Sequence, residues 1–177
     1  MDRITIAVSG TPGSGKTTMA RRLSRELGFE LLHLSDFIKN ERLSSGFDRR
    51  RDSRIIDVER LSRRFEDWSA GKKSLIVEGH LSHLLPVTHV VVLRASPKVL
   101  KTRLARRRYP KGKIMENLEA EYLGVILGEA LGRCANVLEL DNTRDVSTAR
   151  IKRWLKKGGV STREIDWTGE FIKVLQN

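Results

Sequence analysis

The sequence predicts an α/β fold, a five-stranded parallel sheet with helices on both faces, and three observations carry that prediction. Short runs rich in Val, Ile and Leu alternate along the chain with stretches of helical periodicity. Two of the runs, "SLIVE" (74–78) and "THVVVLR" (88–94), read as strands buried on both faces. A glycine-rich turn joins the first apolar run to the first helical stretch. Parallel strands need crossover connections, and the intervening helices supply them.

The elements follow in order. "RITIAVSG" is a β-branched strand with Ile4, Ile6 and Val8 buried. Residues 15 to 27 repeat apolar positions at Met19, Ala20, Leu23 and Leu27, then stop at Gly28. "ELLHL" is a second strand, and Ser35 is placed to cap a helix through about Leu43. "SSGFDRRRDSR" is a connection, followed by a helix from about Ile55 to Trp68. After "SLIVE" and "THVVVLR" come helices at about 97–108 and 112–131, separated by Tyr109-Pro110. "NVLELD" is the fifth strand, and helices at about 146–157 and 163–175 end the chain. In the last, Trp167, Phe171 and Leu175 share one face and are expected to dock on the body.

The 177 residues suit one domain with a single substantial core. No apolar run reaches the roughly 18 residues that cross a bilayer, so no membrane role is expected. "MDRITIAVSG" lacks signal-peptide architecture, and Cys134, the sole cysteine, cannot form an internal disulfide. The expected location is cytoplasmic. Thirty-four Lys and Arg against 22 Asp and Glu give a net charge of +12, which attracts polyanions such as nucleotides or RNA.

"GTPGSGKT", residues 10–17, satisfies G-x-x-x-x-G-K-[ST] with a strand before it and a helix after it. Gly10, Gly13 and Gly15 permit the tight turn, and Ser14 lies within it. Backbone N–H groups then face a polyphosphate at a helix N-terminus. Lys16 is placed for the β- and γ-phosphates, the Thr17 hydroxyl for Mg²⁺, and Thr18 for the α-phosphate. The expected cofactors are ATP and Mg²⁺.

Such a loop works with a carboxylate at the end of a neighbouring strand. Glu78, ending "SLIVE", is the candidate metal residue beside Thr17, directly or through a water. His80 then lies near the nucleotide, either orienting or deprotonating an attacking group or held as a hydrogen-bonded loop histidine. A zinc site lacks its ligand spacing, and a Ser-His-Asp triad lacks its nucleophile elbow.

Two basic segments flank this centre. Arg103, Arg106 and Arg107 cluster before Tyr109, where a short loop can close over ATP. Arg49, Arg50, Arg51 and Arg54 lie where an acceptor nucleotide is held in nucleoside monophosphate kinases, between Asp36 and Asp57. The latter pair serve as acceptor contacts or helix caps. A GTPase is disfavoured, because "DNT" after the fifth strand has no N-K-x-D pattern.

"GTPGSGKTT", "VEGH", "VVVLR" and "RRRYPKGKIMENLEAE" together resemble the small adenylate kinases of the coilin-interacting nuclear ATPase type, the isoenzyme 6 family with its archaeal members, over about residues 3–160. The resemblance implies a P-loop fold, an acceptor-nucleotide segment near 30–55 and a lid near 106–116. It also implies phosphoryl transfer from ATP to AMP or another nucleoside monophosphate, ATP hydrolysis, and maturation of the small ribosomal subunit with a ribosomal protein or rRNA as partner. By position, Gly13, Gly15, Lys16, Thr17 and Thr18 bind ATP, Arg107 is the lid arginine, and Glu78 and His80 occupy the family's Asp-x-His pair. This chain departs from the pattern with Glu78 in place of Asp and Arg108 in place of Gly. A nucleotide-gated assembly ATPase and a small-metabolite kinase are the competing readings.

Overall fold

The computed structural model describes residues 3–48, 53–158 and 165–176. Five parallel strands form the sheet: β1 (Thr5–Ser9), β2 (Glu30–His33), β5 (Leu75–Glu78), β6 (His89–Arg94) and β7 (Val137–Asp141), in the order β2-β5-β1-β6-β7. Strand β1 is buried throughout and pairs with β5 on one side (Val8 opposite Glu78) and β6 on the other (Val8 opposite Val91). From β1 the chain crosses to β2 on one side of the sheet, and from β5 it crosses to β6 on the other, so the residues that follow β1 sit where the strand order reverses. Open α/β sheets bind ligands at such a switch point.

Alternation along the strands feeds two cores. Ile6, Val8, Ile76, Val91, Leu93, Leu138 and Leu140 meet α1 (Lys16–Leu27) and α7 (Ala149–Lys156) through residues such as Leu23 and Trp154. Ala7, Leu75, Val77, Val90, Val92 and Val137 face the other way. There they meet α2 (Leu34–Asn40), α3 (Val58–Ser69), a 3-10 turn at Ser82–Leu84 and α6 (Val125–Leu131). A third cluster joins α4 (Pro97–Arg106), α5 (Lys111–Leu123) and α8 (Thr168–Leu175) through Leu100, Leu104, Leu118 and Phe171. Among the described residues no helix is long and apolar enough to cross a membrane.

The expected elements are present, with corrections. The connection after α2 contains an antiparallel hairpin, β3 (Ser44–Asp48) with β4 (Ser53–Ile56), interrupted by a register shift between Ser44 and Gly46. The helix expected from Ile55 therefore begins at Val58, where Asp57 accepts the Arg60 N–H at 3.0 Å. Asp57 is a cap. His33, not Ser35, stands at the N-cap of α2. The helix expected over 112–131 is two, because Gly124 turns left-handed at φ 65° between α5 and α6. Helix α7 starts at Ala149, later than the expected 146. Helix α8 starts at Thr168 rather than near 163, with Trp167 at its N-cap. It docks through Phe171 and Val174 while Leu175 is exposed, since the buried stripe runs i, i+3. Phe171 stacks on Tyr122 with centroids 4.5 Å apart. Arg49, Arg50 and Arg51 lie outside the described residues.

Candidate active site

The turn after β1 is shaped by what surrounds it. Gly10 has φ 140°, and a Cβ there would stand 2.2 Å from the Leu93 carbonyl oxygen, so only glycine lets the loop leave β1 against β6. At Gly15, φ is 96° and a Cβ would meet Asn142 Nδ2 at 2.3 Å. Asn142 Nδ2 donates to the Ser14 carbonyl at 2.7 Å, and its Oδ1 accepts the Val146 N–H at 3.1 Å. Gly15 caps α1 without a side-chain hydrogen bond. The helix thus presents first-turn N–H groups and a positive dipole end on the inner side of the loop.

Lys16 opens α1 and donates to the Thr11 carbonyl at 3.0 Å. Burial pushes its ammonium down to about 8; Glu78 and Glu121 oppose that shift and Arg107 reinforces it. Thr17 follows, its hydroxyl 3.3 Å from both carboxylate oxygens of Glu78. Glu78 is buried and also lies 2.8 Å from His33 Nδ1. The structure thus brings Lys16, Thr17 and Glu78 together and adds His33, which the sequence reading took only as part of a strand. One hydroxyl and one carboxylate form the oxygen set that a hard divalent cation takes alongside phosphates and water. No cluster of three or more His, Cys, Asp or Glu suited to a metal occurs among the described residues.

His80 stands at the same cleft and is exposed to it. The protein packed around the ring, then the Lys16 ammonium and His83, push the imidazole down to about 4 against the pull of Glu78. Water in the cleft screens part of that effect. His80 is therefore neutral near pH 7 and is a weak base, better suited to orienting a group than to deprotonating one. His83 is buried, with Nδ1 2.9 Å from Ser9 Oγ and Nε2 2.8 Å from Glu129 Oε2. Burial lowers its pKa although Glu129 pulls upward. The neutral ring donates from Nε2 to Glu129 and accepts the Ser9 hydroxyl at Nδ1. This Ser-His-Glu relay is closed to substrate because Ser9 is fully buried; it braces the end of β1.

The arginine cluster divides by role. Arg103 is not directed at a phosphate: it donates to the carbonyls of Gly13 (3.0 Å) and Thr143 (3.0 Å), tying α4 to the loop and to the turn after β7. Arg106 and Arg107 are exposed. Arg107 lines a cleft of about 400 Å³ with Lys16, Glu78, His80, Ser35 and Tyr109. Arg108 sits in the left-handed region at φ 59°. Thr18 and Asp36 are exposed. The hairpin leaves Phe47 55% exposed and Ile55 51% exposed beside Arg54.

A buried charge network underlies the loop. Arg94 donates to Glu121 Oε1 at 2.6 Å, to Glu139 Oε1 at 2.5 Å and to the Glu121 carbonyl. Glu121 Oε2 accepts the Thr11 hydroxyl at 2.5 Å. The sequence signal for this network is charge at the end of one apolar run, Arg94 in "VVVLR", and inside another, Glu139 in "VLELD".

With this geometry in view, relatives place the chain. The family described as "AAA domain" matches residues 6–124. A Methanocaldococcus jannaschii protein named "Putative adenylate kinase" is 36% identical over 177 residues, covering 96% of each chain. A Thermococcus onnurineus protein of the same name is 40% identical, covering 97% of this chain and 95% of its own. The chain belongs to this archaeal adenylate kinase family. Solved structures show the same P-loop kinase fold in more distant proteins. A shikimate kinase from Acinetobacter baumannii has a TM-score of 0.62 at 16% identity, covering 88% of this chain and 94% of its own. A sugar kinase from Janibacter has 0.59 at 22% identity, covering 90% and 96%. Glu78 reaches His33 as well as Thr17, and Arg108 holds a backbone conformation that glycine adopts without strain.

Proposed function

We propose that this family member is an adenylate kinase that transfers the γ-phosphoryl group of ATP to AMP, giving two ADP. The observation that carries this reading is the cleft in which Lys16, Glu78, His80 and Arg107 surround one space beside the glycine turn. The residues fit a triphosphate and its metal. The loop has no room for side chains at Gly10 and Gly15, and the buried Ser14 hydroxyl has no partner among the described residues. Thr17 and Glu78 would hold Mg²⁺, which when bound neutralises phosphate charge and orients the phosphoryl group.

The chain's own residues supply positioning and charge. Glycine-loop amides, Ser14 and the α1 N-terminus hold the β- and γ-phosphates, with Thr18 toward the α-phosphate. Lys16 turns from the Thr11 carbonyl to the phosphates. Arg107, in a lid spanning about 106–116, closes over the site and stabilises the equatorial oxygens. The AMP phosphate attacks in line from the side of Ser35 and the 30–55 segment, where Arg54 and the hairpin stand. His80, neutral, orients the attacking oxygen or a competing water. Kinase and residual ATPase activity then share one site within a single domain.

The test is ATP with a panel of nucleoside monophosphates, each against ATP alone. ADP above the control with AMP, lost in Lys16→Ala, is expected; no excess with AMP ends this reading. A second role, as a cytoplasmic member of the coilin-interacting type in small-subunit maturation, is favoured by the net charge of +12. Nucleotide-dependent, salt-sensitive co-sedimentation with small ribosomal subunits is expected, and its absence at low salt in every nucleotide state removes that role.

A further inference from the structure

Thr11 is the second residue of the phosphate loop, yet it is only 2% exposed. Its hydroxyl donates to Glu121 Oε2 at 2.5 Å, across 110 residues of sequence. Its carbonyl accepts both the Ser14 N–H at 3.2 Å and Lys16 Nζ at 3.0 Å. One peptide group thus closes the loop's inner turn and holds the lysine when no phosphate is bound. Its orientation depends on the side-chain bond behind it.

Glu121 is itself immobilised. It is 1% exposed, and its other oxygen accepts Arg94 Nε at 2.6 Å and the Ala95 N–H at 3.1 Å. Arg94 is held in turn by Glu139 at 2.5 Å, and Glu139 Oε2 accepts the Ile165 N–H at 3.2 Å. Hydrogen bonds to charged groups are shorter and stronger than neutral ones. The carboxylate is a fixed anchor on α5, the helix that follows the arginine loop.

We propose that Glu121 is a positioning residue for ATP, acting through the Thr11 hydroxyl to fix the peptide group whose carbonyl closes the turn of the loop. The same bond pins α5 to the loop at Glu121, so any movement of the arginine segment lies before that residue. This rests on residues 10–17 being the ATP loop. The readout is ATP uptake, which is independent of the acceptor.

The test is calorimetry of Mg-ATP and of AMP on the folded protein. Thr11→Val removes the hydroxyl at constant shape, and Thr11→Ser restores it. We expect Thr11→Val to weaken ATP at least tenfold and AMP less than twofold, with Thr11→Ser within threefold of the parent. Glu121→Gln keeps an acceptor for Arg94 and should weaken ATP severalfold. Because it acts through Thr11, Thr11→Val/Glu121→Gln should be no weaker than Thr11→Val alone. Additive losses, equal weakening of ATP and AMP, a folded Thr11→Val with parental ATP affinity, or failure of Thr11→Ser to rescue would each overturn the proposal.

Discussion

Asn142 lies 128 residues from Ser14 in sequence and donates to its carbonyl at 2.7 Å, filling the space that any side chain on Gly15 would need. The end of β7 is therefore part of the phosphate loop's wall. Asn142→Ala deletes one buried and one partly buried hydrogen bond and leaves the Ser14 carbonyl unpaired, at about 1–3 kcal/mol. ATP affinity should fall at least fivefold in a protein that still folds. Gly15→Ala should abolish ATP uptake, since its Cβ and Asn142 Nδ2 would be only 2.3 Å apart. Equilibrium binding alongside urea unfolding checks both.

The low pKa of His80, about 4, sets two pH dependences. In the unfolded chain the imidazole takes up a proton as pH falls through about 6.5, whereas in the fold it stays neutral until near 4. This contribution to stability is thus complete above the unfolded value and is lost between the two as pH falls. His80→Gln should lose less stability than the parent between pH 7 and pH 4.5 in urea titrations. Turnover should show no limb near pH 6.5 attributable to this ring, and a His80-dependent limb there would contradict a neutral orienting role.

Arg108 holds φ 59° just after α4. A side chain in the left-handed region costs about 1–2 kcal/mol, and glycine returns roughly 0.5–1 kcal/mol of that as extra freedom of the unfolded chain. Arg108→Gly should therefore raise the thermal midpoint by about 1–2 °C. A fall in midpoint would show that the arginine makes a compensating contact.

Arg94 balances Glu121 and Glu139, each 1% exposed. Arg94→Met would take the guanidinium away from the buried Glu121 carboxylate, a change that typically costs about 3–5 kcal/mol. The urea midpoint should fall accordingly. A loss below about 1 kcal/mol would mean that the pair is solvated or held by other donors.

The sheet and the phosphate loop were legible because their signals are local. An apolar run, a glycine turn and an amphipathic stretch each declare themselves within about a dozen residues. The carboxylate at Glu78 was legible for the same reason, as a strand-end position. What could not be read depends on which distant segments meet. His33 approaches Glu78 across 45 residues and Thr11 approaches Glu121 across 110. Arg103 lies in a basic cluster that suggested phosphate, yet the carbonyls of Gly13 and Thr143 accept its hydrogen bonds. The β3–β4 hairpin was missed because "SSGFD" has little β-propensity and its Gly and Ser read as a loop.

The opposite rim of the sheet is built to a different tolerance. Gly28 and Gly71 make the left-handed turns leading to β2 and β5, and nothing lies within 4 Å of where their side chains would be. A fluorophore or affinity tag spliced into either bend would hang in open solvent, at the end of the strands remote from the chemistry. Those two corners are the natural handles for watching this kinase at work without touching it.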